Sequence, residues 1–297
     1  MNKLSQIVPL VLVLILVMAG ATLADVSYTE EVVNSGVGSK KRGARRTVHE
    51  IHIKGGQQCV STDIETSKAM AGILRKQGVT LRGTKILRLD QGRLYEIDRD
   101  KETYRREALP ALPASPGAGK RAAPKIQTQT QVQTQVPSHP NREISVRTKA
   151  LKDTLRVAGV LCHRVAVEMT ARHFKLGTKT VQRVHRYLYQ AWMADGFPGY
   201  KDITAFRKKQ EQTTSLAPLI RGGLEQLADS IEDPERLQSE LALLQGFPMQ
   251  SELKVYSKVG KGRERQLLRL SRKVLSLSQK PLSDALFRPS RKLKSIP

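Results

Sequence analysis

The sequence predicts an α+β fold in which an antiparallel β-sheet is covered by a few helices. Three observations carry this. Several segments alternate apolar and polar residues with the period of two that gives a strand one buried face. From Leu216 onward, leucines recur at steps of three and four, the spacing of an amphipathic helix. Between residues 108 and 142 the composition turns to Pro, Ala, Gln and Thr, which interrupts the domain without supplying a core.

Residues 1–24 read as an export leader. Lys3 is the only charged side chain, Ile7 to Ala19 are apolar, and Ala19-Gly20-Ala21 and Thr22-Leu23-Ala24 offer small residues for cleavage after Ala21 or Ala24. The alternative is an uncleaved anchor, but the apolar run is shorter than the roughly 20 residues that span a bilayer. No cysteine follows the run to be acylated, so there is no lipobox. The expected product is soluble, periplasmic or secreted.

With 51 Lys and Arg against 27 Asp and Glu in 297 residues, the chain carries +24 formally, and +23 without Lys3. Such a field attracts anionic membranes, acidic glycans, cell-wall polymer or nucleic acid. An exported protein rarely meets nucleic acid, and aromatic residues for base stacking are only 4%. Nucleic acid is therefore the less expected partner. Export also admits disulfides, and Cys59 and Cys162 are the two cysteines. A bridge between them would stabilise by about 4 to 5 kcal/mol in the chain-entropy picture. Two separate thiols are the alternative.

The strands follow in order. The first spans 28–33. In the second, 46–54, Thr47, His49, Ile51 and Ile53 share one face while Val48, Glu50 and His52 take the other. The two histidines therefore point apart, and no metal site is expected here. Residues 86–97 form a hairpin with a three-residue loop, Asp90-Gln91-Gly92, and a left-handed Gly92. That register places Leu87 opposite Tyr95, so that Leu87, Leu89, Tyr95 and Ile97 share one apolar face. A turn at 98–101 brings Tyr104 back beside them, completing a meander.

The tract at 108–142, with Gln and Thr alternating from Gln127 to Gln135, is expected to be a disordered insert, a polar edge strand being the alternative. Strands resume at 160–169, with Leu161, His163, Val165, Val167 and Met169 on one face and Cys162 on the other. Another strand runs from 181 to 193, with Tyr187 and Tyr189 in phase and Trp192 out of phase. Two helices lie within about 216–246. The first carries Leu216, Leu219, Ile220, Leu224, Leu227 and Ile231; the second opens at Asp233-Pro234-Glu235, turns Leu237, Leu241 and Leu244 inward, and stops at Gly246. Two more strands, 250–259 and 265–278, meet at Gly260-Lys261-Gly262. A basic tail with Arg288, Arg291, Lys292 and Lys294 closes the chain, read as solvated. The domain thus comprises 25–107 and 143–297.

The successions Ile86-Leu87-Arg88-Leu89-Asp90, Tyr95-Glu96-Ile97-Asp98, Lys101-Glu102-Thr103-Tyr104, Val157 to Val165, Ala191-Trp192-Met193 and Gly246-Phe247-Pro248-Met249 resemble an uncharacterised family of exported bacterial domains (domain of unknown function 4412). The resemblance implies the fold of the lipoprotein-localisation carriers (LolA/LolB-like): a curved antiparallel half-barrel closed by helices over an apolar cavity. It brings no established activity, and the Gln/Thr insert and surplus of basic residues depart from its pattern.

Two functional classes follow. The first is a non-enzymatic envelope protein that binds or carries a lipid or lipidated partner, with Leu87, Leu89, Tyr95 and Ile97 as candidate cavity lining; the alternative is that the same residues simply make a filled core. The second is a structural or adaptor module whose basic surface holds anionic envelope polymer or an acidic protein. No nucleophile elbow, phosphate-cradling glycine loop or Cys/His metal spacing occurs, so neither an enzyme nor a cofactor is expected.

Overall fold

The computed structural model describes residues 25–36, 43–112, 133–135, 141–214, 237, 241 and 244–297. Its strands are β1 (Val26–Asn34), β2 (Arg45–Lys54), β3 (Gln57–Thr66), β4 (Arg82–Arg88), β5 (Arg93–Asp98), β6 (Thr103–Ala108), β7 (Gln133–Gln135), β8 (Arg142–Val157), β9 (Val160–Phe174), β10 (Val181–Ala194), β11 (Phe247–Val259), β12 (Arg265–Ser278) and β13 (Lys294–Ile296). Helices α1 (Lys68–Lys76) and α2 (Tyr200–Thr213) and a 3-10 turn (Asp284–Phe287) complete the described elements.

All thirteen strands belong to one open sheet, ordered β13-β6-β5-β4-β3-β2-β1-β12-β11-β10-β9-β8-β7. Two meanders, β1 to β6 and β7 to β12, meet where β1 pairs antiparallel with β12. Within each meander, chain neighbours are sheet neighbours, so most pairing needs only tight turns. The β1–β12 seam and the parallel pairing of β13 on β6 are the distant contacts.

Directly opposed residues of an antiparallel ladder share a face. On one face, here the inner one, lie Val26, Tyr28 and Val32 of β1, Ile51 and Ile53 of β2, Leu253 and Val255 of β11, and Leu268, Leu270 and Val274 of β12, all buried. The alternation foreseen in β2 holds, with Thr47 buried beside its isoleucines. Two apolar clusters occupy this face. One spans β8 to β12 around Val146, Val167, Met169, Tyr187, Leu253 and Leu268. The other gathers Val26, Tyr28, Ile51, Leu87 and Phe247 under Ile203 and Phe206 of α2.

Helix α2 begins at Gly199, whose φ of +87° is left-handed. A Cβ there would run into the Val26 side chain, so the close approach of helix to sheet requires glycine. Leu237, of the second helix foreseen, is helical and buried in the first cluster, and Leu241 and Leu244 pack on it half-buried. The remainder of that helix and the helix foreseen from Leu216 to Ile231 lie outside the described residues. So do the leader and most of the 108–142 tract, of which Gln133–Gln135 pair with β8.

Besides β13 and the 3-10 turn of the tail, four elements had no foreseen counterpart. Strands β3 and β8 are largely polar on both faces, so alternation is faint in them. Helix α1 is short and buries only Leu74, and α2 has the sparse buried stripe Ile203, Phe206 and Gln210. In β9 the foreseen face holds for Val165, Val167 and Met169, but Leu161 is 57% exposed and Cys162 is buried. The β8–β9 register shifts between Leu151 and Thr154, beside this stretch, and the simple period fails there.

Candidate functional site

The four residues read as one cavity face do not share a face. The β4–β5 register sets Leu87 opposite Leu94 and Ile86 opposite Tyr95, with Arg88 opposite Arg93 closing a four-residue loop. Gly92 is left-handed as expected, at φ +62°, but the loop is one residue longer than foreseen. A one-residue change of register sends one strand's side chains to the other face. Leu87 and Leu89 therefore join the inner cluster beneath α2, whereas Tyr95 and Ile97 lie outside, against Ile86 and Phe287. The longer loop is held by Asp90, whose carboxylate receives Arg88 Nε at 2.9 Å and Nη2 at 2.7 Å. The Arg88 guanidinium holds the Asp90 carboxyl below the usual carboxylate range.

Cys59 and Cys162 are both free and buried, so the bridge weighed from the sequence is not made. They belong to different clusters: Cys59 packs with Ile86 and Phe287, Cys162 with Val157 and Trp192. Burial, with the Glu50 charge adding to it, pushes the Cys59 thiol up to about 11. Burial also raises Cys162. A thiol so raised is a poor nucleophile at neutral pH.

The histidines of β2 bind different neighbours: His49 Nδ1 lies 2.9 Å from Thr62 Oγ1, and His52 Nδ1 lies 2.9 Å from Ser27 Oγ. His163, read as structural, lies 3.3 Å from Asp195 at the end of β10. Among the described residues no group of three or more His, Cys, Asp or Glu could hold a metal.

The inner face holds a charged pair that alternation could not announce. Arg272 of β12 meets Glu30 of β1 at 2.5 Å through Nη2 and 2.7 Å through Nε, with side chains 2% and 0% exposed. Arg272 Nη1 also donates to the Pro248 carbonyl at 2.6 Å. Two guanidiniums lie over the Phe247 ring, Arg272 at 5.3 Å and Arg207 of α2 at 5.1 Å from its centroid. Tyr28, wholly buried beside Glu30, is pushed up to about 12, first by desolvation and then by the Glu30 charge. The pair lies on the β1–β12 seam, so it ties the two meanders together.

On the outer face the tail, though mostly exposed, is anchored to the sheet. Phe287 is buried against Cys59 and Ile86, Lys54 Nζ donates to the Leu282 carbonyl at 2.8 Å, and Asp25 accepts from the Leu282 amide at 2.6 Å. β13 then adds to the β6 edge. Between tail and sheet lies a cleft of about 370 Å³, lined by Tyr95, Tyr104, Arg106, Arg288 and Arg291 among others. The tail's basic residues are exposed, as the sequence leads us to expect, and two of them, Arg288 and Arg291, also line this cleft.

No protein family model matches the chain, and no curated protein matches it either. Among solved structures it is similar to a domain from Vibrio parahaemolyticus described as a "putative outer membrane lipoprotein-sorting protein domain". The match covers 90% of each chain at 8% sequence identity, with a TM-score of 0.28. The fold described above rests on the strand pairing of this chain itself.

Proposed function

We propose that this chain is an exported, non-enzymatic envelope protein whose apolar inner face takes up a lipid or the acyl chain of a lipidated partner. The observation that carries the reading is the apolar wall of β8 to β12 on an open sheet, with Leu237, Leu241 and Leu244 laid against it. In an open sheet the wall keeps its strand pairing when a covering segment moves, so an acyl chain could slide between wall and leucines at no cost in backbone hydrogen bonds. The +23 charge left once the leader with Lys3 is removed would draw the protein to anionic headgroups.

Protein purified without detergent should yield lipid in the mass spectrum of its organic extract and bind a fluorescent fatty acid saturably. Leu241→Asp, at a half-buried position, should weaken that binding. Absence of both lipid and saturable binding sinks the reading. Export is tested separately: the intact mass of protein recovered outside the cytoplasm should correspond to a start at Thr22 or Asp25.

The second reading, an adaptor that holds anionic envelope polymer or an acidic protein, is favoured by the arginines that the tail brings to the outer face. It expects salt-sensitive co-sedimentation with cell walls, and none at low ionic strength would remove it.

A further inference from the structure

The arginines of this sheet are mostly spoken for. Arg46 pairs with Glu31 and Glu65, Arg164 with Asp153, Arg172 with Glu143, Arg186 with Glu264 and Arg269 with Glu252. The cleft beneath the tail departs from that pattern. Arg106 of β6 lines it together with Arg288 and Arg291, brought there from the far end of the chain, and no Asp or Glu lines it. Among the described residues none of the three has a carboxylate within ion-pair distance.

The neighbouring charges are already committed. Arg88, also in the lining, is held by Asp90 and donates to the Phe287 carbonyl at 3.2 Å, so it anchors the tail. Asp284, the tail's one acid, lies 2.9 Å from Lys54 Nζ. Tyr95 and Tyr104, with ring centroids 6.4 Å apart, form one wall of the cleft and carry hydroxyls that can donate. Three exposed guanidiniums line one concavity that has no carboxylate in its lining, so the cleft is positively charged until an anion enters. Their planar forks suit the paired oxygens of a phosphate.

We propose that this cleft binds a phosphate-bearing group, a phosphomonoester or phosphodiester, with Arg106, Arg288 and Arg291 as its ligands. The site lies on the face opposite the apolar wall and stands independently of the acyl-binding reading. The phosphate comes either from an anionic lipid headgroup or from a soluble molecule.

The full chain is titrated with inorganic phosphate by calorimetry and, separately, sedimented with phosphatidylglycerol/phosphatidylcholine vesicles and with pure phosphatidylcholine vesicles. The variant Arg106→Gln/Arg291→Gln is compared with Lys261→Gln/Arg263→Gln, an equal loss of charge in the exposed β11–β12 hairpin. The cleft variant should weaken whichever binding is found by about tenfold. The hairpin variant should stay within about twofold of the parent. Ser290→Asp, which puts an anion into the cleft at an exposed position without removing an arginine, should match the cleft variant. Binding of inorganic phosphate assigns a soluble ligand; binding of phosphatidylglycerol vesicles alone assigns a headgroup. No binding in either arm, equal losses in the two charge-matched variants, or an indifferent Ser290→Asp overturns the proposal.

Discussion

The Glu30–Arg272 pair shows how much one buried contact can decide. Two charges withdrawn from water stabilise little as a pair, but removing one leaves the other uncompensated. Glu30→Gln should therefore lower stability by about 3 to 5 kcal/mol, read from the urea midpoint. The double replacement Glu30→Leu/Arg272→Met should lose much less, and equal losses would mean that the charge is not what matters. His49 offers a test by pH. Burial lowers its folded-state value below that of the unfolded chain. Above the unfolded value both states are neutral and the contribution to stability is complete. As pH falls below about 6.5 the unfolded chain takes up the proton first, so stability declines toward the lower folded value. Urea midpoints between pH 8 and pH 5 should show this slope reduced in His49→Gln; an unchanged slope assigns the acid sensitivity elsewhere. Alternation in the sequence placed His49 inward with Ile51, because that is a local property of one strand. It could not pair Glu30 with a residue 242 positions away.

At the scale of elements, the β4–β5 hairpin and the tail carry the lesson. The hydrophobic pattern selected a three-residue loop that would have gathered Leu87, Leu89, Tyr95 and Ile97. It assumed that Tyr95 and Ile97 needed the same core as the leucines. The tail removes that need, since Phe287 and Leu282 give the outer residues a second, smaller core. Phe287→Ala should cost about 3 to 5 kcal/mol if the tail melts with the sheet. It should also uncover Cys59. In a Cys162→Ala background, the native thiol should react with Ellman's reagent far faster in Phe287→Ala than in its parent. Equal protection would show that the tail is not the cover. Strands β11 and β12 were legible almost to their ends, because both alternate strongly and a Gly-Lys-Gly turn separates them. Strand β8 was not, because it buries little beyond Val146 and Val157.

The whole molecule is two meanders joined at one seam under a large surplus of positive charge. Self-repulsion of that surplus opposes the compact state, and added salt screens it. The thermal midpoint should therefore rise from low to moderate sodium chloride, despite the surface ion pairs that salt weakens. A falling midpoint would mean that those pairs outweigh the net charge. The same salt should weaken anion binding in the cleft, which separates the two effects in one titration series.

What the sequence determined by itself was local or compositional: the α+β class, most strand positions, the inward face of β2, the inward Leu237, and the basic surface. Period-two and helical spacing depend only on near neighbours, and charge is a sum. The tertiary structure decided the β1–β12 seam with its buried ion pair, the separation of Cys59 from Cys162, the division of the four presumed cavity residues between two faces, and the cleft under the tail. Each of these depends on which distant segment covers a face, and that is settled by packing of the whole chain.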